Sequence, residues 1–171
     1  MKKKYLYMLP IILSLLMMVS CSDQCKVYNN VDEWVAEVTP TVESIKVETL
    51  HAMLDTGAMV LLIDVREANE FNPGYIPGSV NIPRGIIEFK IANDEFWEAQ
   101  FLYPPLKTDE VILICKKGKR SIMTVDAVKK LGFENVKYLD GGFKKWELTY
   151  PLEQDKNLDQ VHGDGGEVGG C

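Results

Sequence analysis

Four short apolar runs punctuate the chain between residues 59 and 139, and the segments between them shift to helical spacing. Met59 to Ile63 and Val111-Ile112-Leu113-Ile114 are continuous aliphatic runs, the signature of strands buried on both faces. Val80-Asn81-Ile82 and Val136-Lys137-Tyr138-Leu139 read as shorter strands, and Ile45 begins another extended piece. Asn30 to Val38 sets Val31, Trp34, Val35 and Val38 on one helical side and is closed by Pro40. Val47 to Asp55 turns Leu50, Met53 and Leu54 inward and stops at Gly57. Glu67 to Phe71 makes a single turn, and Ile86 to Phe101 reads as a helix broken near Asn93 and ended by Pro104-Pro105. From Ser121 onward the spacing Ile122, Val125, Val128, Leu131 is helical, with Lys129 and Lys130 in the last turn and Gly132 as its stop. After the turn Asp140-Gly141-Gly142, Phe143 to Leu148 closes the domain. Alternating strands and helices predict an α/β domain, a mainly parallel sheet with helices on both faces. In such sheets ligands bind beyond the carboxyl ends of the strands, where Asp64 and Cys115 fall.

Cys115 matters most. It ends the Val111–Ile114 run and opens Cys115-Lys116-Lys117-Gly118-Lys119-Arg120-Ser121, which leads into a helix N-terminus. A loop of that kind gathers backbone N–H groups and the positive end of a helix dipole around one sulfur, and four cationic side chains add to the field. The pattern predicts a nucleophilic thiolate in an oxyanion cradle, working without a general base. The plainer alternative is a buried cysteine followed by a solvated basic turn. Asp64, Arg66 and Arg84 are candidates for an outer ring of contacts. Arg66 or Arg84 would touch an anion at the pocket rim; alternatively Asp64 accepts from loop N–H groups while Arg66 braces the turn through a carboxylate such as Glu70. The two histidines, His51 and His162, show no ligand spacing, so no metal or other cofactor is expected. His51 is expected at the surface and His162 in the C-terminal tail.

The ends of the chain carry signals of another kind. Lys2, Lys3 and Lys4 precede a mostly apolar stretch, Tyr5 to Val19, of signal-peptide length. Met18-Val19-Ser20-Cys21 resembles the lipobox of bacterial lipoproteins, with Met18 where Leu is usual; the resemblance implies cleavage before Cys21 and lipidation of it. An ordinary secretory signal is the alternative. Residues 1–20 are thus expected to be a leader, 21–30 a tether, 31–150 one domain, and 151–171 a flexible tail with five glycines after His162. The expected location is a bacterial membrane through the lipid, on the periplasmic or outer side. The formal net charge of −6 becomes more negative once the three leader lysines are removed, which argues against a nucleic-acid partner. Of the four cysteines, Cys25 and Cys171 remain open between pairing with each other, pairing between chains, and staying free.

From about Ile45 to Trp146 the chain resembles the rhodanese family. Three blocks carry the likeness: Leu62-Ile63-Asp64-Val65-Arg66-Glu67 with Glu70-Phe71; Gly74-Tyr75-Ile76-Pro77-Gly78-Ser79-Val80-Asn81-Ile82-Pro83; and Ile114 to Ser121, followed by Leu131-Gly132-Phe133, Leu139-Asp140-Gly141-Gly142-Phe143 and Trp146. Tyr75 and Ser79 stand where the family often has His and Ala. Lys116 often corresponds to Arg, and a point charge in place of a planar fork predicts looser recognition of a sulfonate. The resemblance implies a rhodanese-like three-layer sandwich and a sulfurtransferase. Cys115 would attack the outer sulfur of thiosulfate or a similar small anionic donor, and its persulfide would pass sulfur to cyanide or a thiol. Lys116, Lys117, Gly118, Lys119, Arg120 and Ser121 would bind the donor, and a periplasmic thiol protein is the expected acceptor. Two rivals are phosphatases of similar fold, which need five residues between Cys and Arg where this chain has four, and a module that binds protein, carries sulfur or senses redox without turnover.

Overall fold

The computed structural model describes residues 26–161. Five parallel strands form one sheet in the order β1-β5-β4-β2-β3. They are β1 (Glu43–Ile45), β2 (Leu61–Asp64), β3 (Val80–Asn81), β4 (Val111–Ile114) and β5 (Val136–Leu139). The helices are α1 (Val31–Val38), α2 (Val47–Asp55), α3 (Ala68–Phe71), α4 (Ile87–Lys90), α5 (Asp94–Glu98), α6 (Lys119–Lys130), α7 (Gly142–Thr149) and α8 (Leu158–Val161).

The sandwich follows from alternation along the strands. Val111 and Leu113 of β4 face one core with Ile63, Val125, Val128 and Trp97; Ile112 and Ile114 face the other with Leu62, Leu50, Phe143 and Trp146. Each strand residue presents its side chain opposite to the last, so a run apolar at every position must be covered on both sides. Helices α1, α4, α5 and α6 cover the first face, and α2 and α7 the second. The fold is the expected three-layer α/β sandwich.

Boundaries moved where packing outweighed local pattern. The second strand runs Leu61–Asp64, and Met59, expected in it, is 96% exposed ahead of the sheet. Ile45 ends its strand rather than beginning it. The expected break near Asn93 divides α4 from α5, because the Asn93 side chain accepts from Phe96 N–H and caps a new helix. Helix α6 starts at Lys119, two residues before the expected Ser121, so half of the cysteine loop is its first turn.

Two end segments are more ordered than expected. Tyr28 stacks on Trp34 and donates to Glu37, and Lys26 pairs with Glu37, drawing residues 26–30 onto α1. After α7, Asp155 pairs with Tyr75 through both backbone N–H groups, and Asn157 bonds Asn72 and Tyr75, so residues 155–157 form a strap across the loop before β3. Tyr75, where the family often has His, is an anchor for that strap: its ring stacks on Phe71 and its hydroxyl donates to Asn157 at 3.1 Å. The leader, Cys21, Cys25, His162 and Cys171 lie outside the described residues. Among the described residues no helix is long and apolar enough to cross a membrane.

Candidate active site

Strand order fixes where the site must form. From β2 the chain crosses to β3 at one edge, and from β4 it crosses to β5 on the other side, so β2 and β4 flank the point where the winding reverses. A crevice opens there beyond the carboxyl ends. Asp64 pairs in register with Ile114, which sets Asp64 and Cys115 side by side at its base.

Cys115 is buried at 1% exposure, and its sulfur accepts from Gly118 N–H at 3.1 Å. Gly118 holds φ at +104°, the turn that lets its N–H face back to the sulfur. The Gly118 carbonyl then accepts from Ile122 N–H and from the Ser121 hydroxyl, locking loop to helix. From behind, Phe143 N–H donates to the Cys115 carbonyl at 2.8 Å and Lys144 N–H to the Lys116 carbonyl at 3.0 Å. These bonds tie the loop carbonyls to the first turn of α7. The approach is so close that a Cβ on Gly142 would lie 2.2 Å from the Cys115 oxygen.

A cavity of about 420 Å³ opens over the sulfur, walled by the Cys115 loop, Arg84, Met123 and the α1 residues Val31, Asp32 and Val35. It collects Cys115, Lys116, Lys117, Lys119, Arg120 and Arg84 from the expected set. Ser121 is buried, its hydroxyl turned to Gly118. A neighbouring cavity of about 380 Å³ borders Lys116 and Lys117 but not Cys115; its other walls include Arg66, Phe143 and Lys156.

Two of the cations are already engaged. Arg120 grips Glu70 with both terminal nitrogens at 2.5 and 2.8 Å, and Lys119 reaches Asp32 at 2.6 Å. Burial alone would raise the Glu70 carboxyl, but hydrogen bonding and charge from Arg120 outweigh it and hold the group below its ordinary value. Asp32 and Glu70 were missing from the sequence-based site as partners of the loop. The negative charges that balance a basic loop carry no spacing signal of their own.

Asp64 and Arg66 form a buried pair, with 0% and 3% exposure of their side chains. Arg66 Nε lies 2.9 Å from both Asp64 oxygens and Nη2 2.7 Å from Oδ2; Nη1 also donates to the Glu70 carbonyl and Nη2 to the Gly74 carbonyl. The guanidinium sits 4.1 Å over the Phe143 ring. Burial pushes the Asp64 carboxyl up, and the bonds and charge of Arg66 oppose that shift. Arg84 stands in the wall of the cavity over Cys115, whereas Arg66 is a brace. Its partner is Asp64 rather than the Glu70 carboxylate, which Arg120 takes. His51, expected at the surface, is instead packed 4.0 Å from the Tyr150 ring between Asp55 and Glu153. Among the described residues no cluster of metal-ligating side chains occurs.

Residues 46–149 match the family described as Rhodanese-like domain. The chain belongs to the rhodanese-like domain family. This rhodanese-like domain is 38% identical over 88 residues to a putative mitochondrial thiosulfate sulfurtransferase of Schizosaccharomyces pombe, covering 50% of this chain and 62% of that protein. It is 33% identical over 106 residues to thiosulfate sulfurtransferase GlpE of Pseudomonas savastanoi pv. phaseolicola, covering 62% of this chain and 88% of that one. It also superposes on the human single-domain sulfurtransferase TSTD1 with a TM-score of 0.58 at 26% identity, covering 64% of this chain and 97% of that one. The chain thus spans less than two thirds of the fission-yeast relative's length. The family match begins at Lys46, so α1 lies ahead of it.

Proposed function

We propose that this domain transfers sulfane sulfur through a persulfide on Cys115, with thiosulfate or a related anion as donor. The observation that carries the reading is the Gly118 N–H directed at the Cys115 sulfur at 3.1 Å, at the head of a 12-residue helix. That N–H and the helix dipole favour negative charge on the sulfur, both as thiolate and later as persulfide. The Cys115 thiolate attacks the outer sulfur of the donor. A new S–S bond forms at Cys115, the donor's S–S bond breaks, and sulfite leaves with the electron pair. A thiolate or cyanide then takes the outer sulfur and returns the Cys115 thiolate. Lys116, Lys117 and Arg84 are proposed to hold the donor's sulfonate and to stabilise the departing sulfite, assisted by what charge Lys119 and Arg120 keep beside their carboxylate partners. The names of the sulfurtransferase relatives support the same reaction class.

Intact mass of the purified chain before and after thiosulfate tests this. The expected result is a gain of about 32 Da, removed by cyanide and absent from Cys115→Ser, as covalent catalysis at that atom requires. No gain, with the thiol shown free by alkylation, would leave a binding or redox-sensing module. The sequence pattern also supports a proposal that the chain is exported and anchored by lipid at Cys21, with a thiol protein outside the cytoplasm as acceptor.

A further inference from the structure

Helix α1 belongs to the cavity wall although it precedes the family-matched stretch. Asn30 caps it by accepting from Glu33 N–H, and Val35 and Val38 are buried in the same core cluster as Met123 and Val125. The helix is therefore a fixed part of the domain. It presents Val31, 60% exposed, and Val35 to the space over Cys115. Through Asp32 it also takes up the charge of Lys119, while Glu70 takes up that of Arg120.

Three consequences combine. At about 420 Å³ the cavity is in the range of sites for whole organic ligands and leaves room beyond one sulfonate. Its added wall, Val31 and Val35 together with Met123, is apolar. Two of its cations face carboxylates, so a second negative charge on the ligand gains less than the sequence of the loop implies.

We infer that α1 makes this pocket favour sulfane-sulfur donors that carry one negative charge and an apolar group on the sulfonyl sulfur, an organic thiosulfonate class, over inorganic thiosulfate. The inference rests on the Cys115 reading above. The step is the same in outline: the Cys115 thiolate bonds to the terminal sulfur of RSO2S⁻, the bond between that sulfur and the sulfonyl sulfur breaks, and RSO2⁻ leaves with the electron pair. One thiolate and one thiosulfonate become one persulfide anion and one sulfinate, with no oxidant or reductant needed. The group R lies against Val31, Val35 and Met123.

The test compares kcat/KM for benzenethiosulfonate, methanethiosulfonate and thiosulfate, with cyanide as acceptor, in the parent chain, Val31→Ser, Val31→Thr and Asp32→Asn. Taking ratios between variants cancels the donors' intrinsic reactivities. Val31→Ser and Val31→Thr are expected to lower the benzene-to-methane ratio by about threefold, the equivalent of ~25 Å² of lost apolar contact. Asp32→Asn is expected to raise thiosulfate relative to methanethiosulfonate by roughly twofold, an advantage that added salt removes. Both positions are largely exposed, and retained thermal unfolding confirms that the variants fold. Ratios unchanged in all three variants would overturn the role of α1 while leaving Cys115 transfer intact. Failure of every donor to persulfidate Cys115 would instead overturn the underlying reading.

Discussion

An alanine at Gly142 would test whether α7 holds the Cys115 loop in place. The new Cβ would stand 2.2 Å from the Cys115 carbonyl oxygen and 2.8 and 2.9 Å from the carbonyl carbon and oxygen of Lys116. All three are backbone atoms, so no side-chain rotation relieves the contact. The first turn of α7 must withdraw, breaking the bonds from Phe143 N–H to Cys115 and from Lys144 N–H to Lys116. Each such bond contributes about 1 kcal/mol net. The φ of +60° adds a further ~1–2 kcal/mol for any residue with a Cβ. The expected loss is therefore at least about 3 kcal/mol of unfolding free energy. Gly57 supplies the control, since its φ is +70° but a Cβ there meets nothing within 4 Å. Gly57→Ala should show only the conformational cost, roughly 1–2 kcal/mol. Urea denaturation of both variants measures the difference, and Cys115 persulfide formation from thiosulfate should slow in Gly142→Ala alone. A Gly142→Ala chain as stable as Gly57→Ala would refute the claim that α7 buttresses the loop.

Three further outcomes are expected. Asp64→Asn should destabilise the domain by roughly 3–5 kcal/mol in urea unfolding, because Arg66 is left buried without its counter-charge. Glu70 sits below its ordinary value when folded, so it binds fewer protons native than unfolded, and its stabilisation is present above about pH 4.3 and lost as pH falls further through the folded value. Unfolding free energies measured from pH 6 down to about pH 3 should therefore fall less steeply in Glu70→Gln than in the parent. The proposed lipid anchor predicts that metabolic labelling with a palmitate analogue marks the chain and that Cys21→Ser abolishes the label; equal labelling of both would remove Cys21 as the anchor.

What sequence alone determined here is what depends on near neighbours. An unbroken run such as Val111–Ile114 has to be covered on both faces, so the sandwich was legible. A cysteine between that run and a helical pattern had to lie in a loop at a strand end. The break near Asn93 was legible as well, and the structure adds that the Asn93 side chain caps the turn that follows. The tertiary structure decided which distant groups meet. Lys119 finds Asp32 across 87 residues, Arg120 finds Glu70 across 50, and Tyr75 finds Asn157 across 82. Asp64 and Arg66 are only two residues apart, yet only the folded chain shows that Arg66 takes Asp64 while Arg120 takes the Glu70 carboxylate. The placement of α1 over the sulfur is of the same kind. Its apolar face said only that it would pack somewhere, and the fold set it against the apolar side of α6. Periodicity and turn chemistry are set within a few residues, whereas a charge or an apolar face takes the complement that the folded chain brings to it.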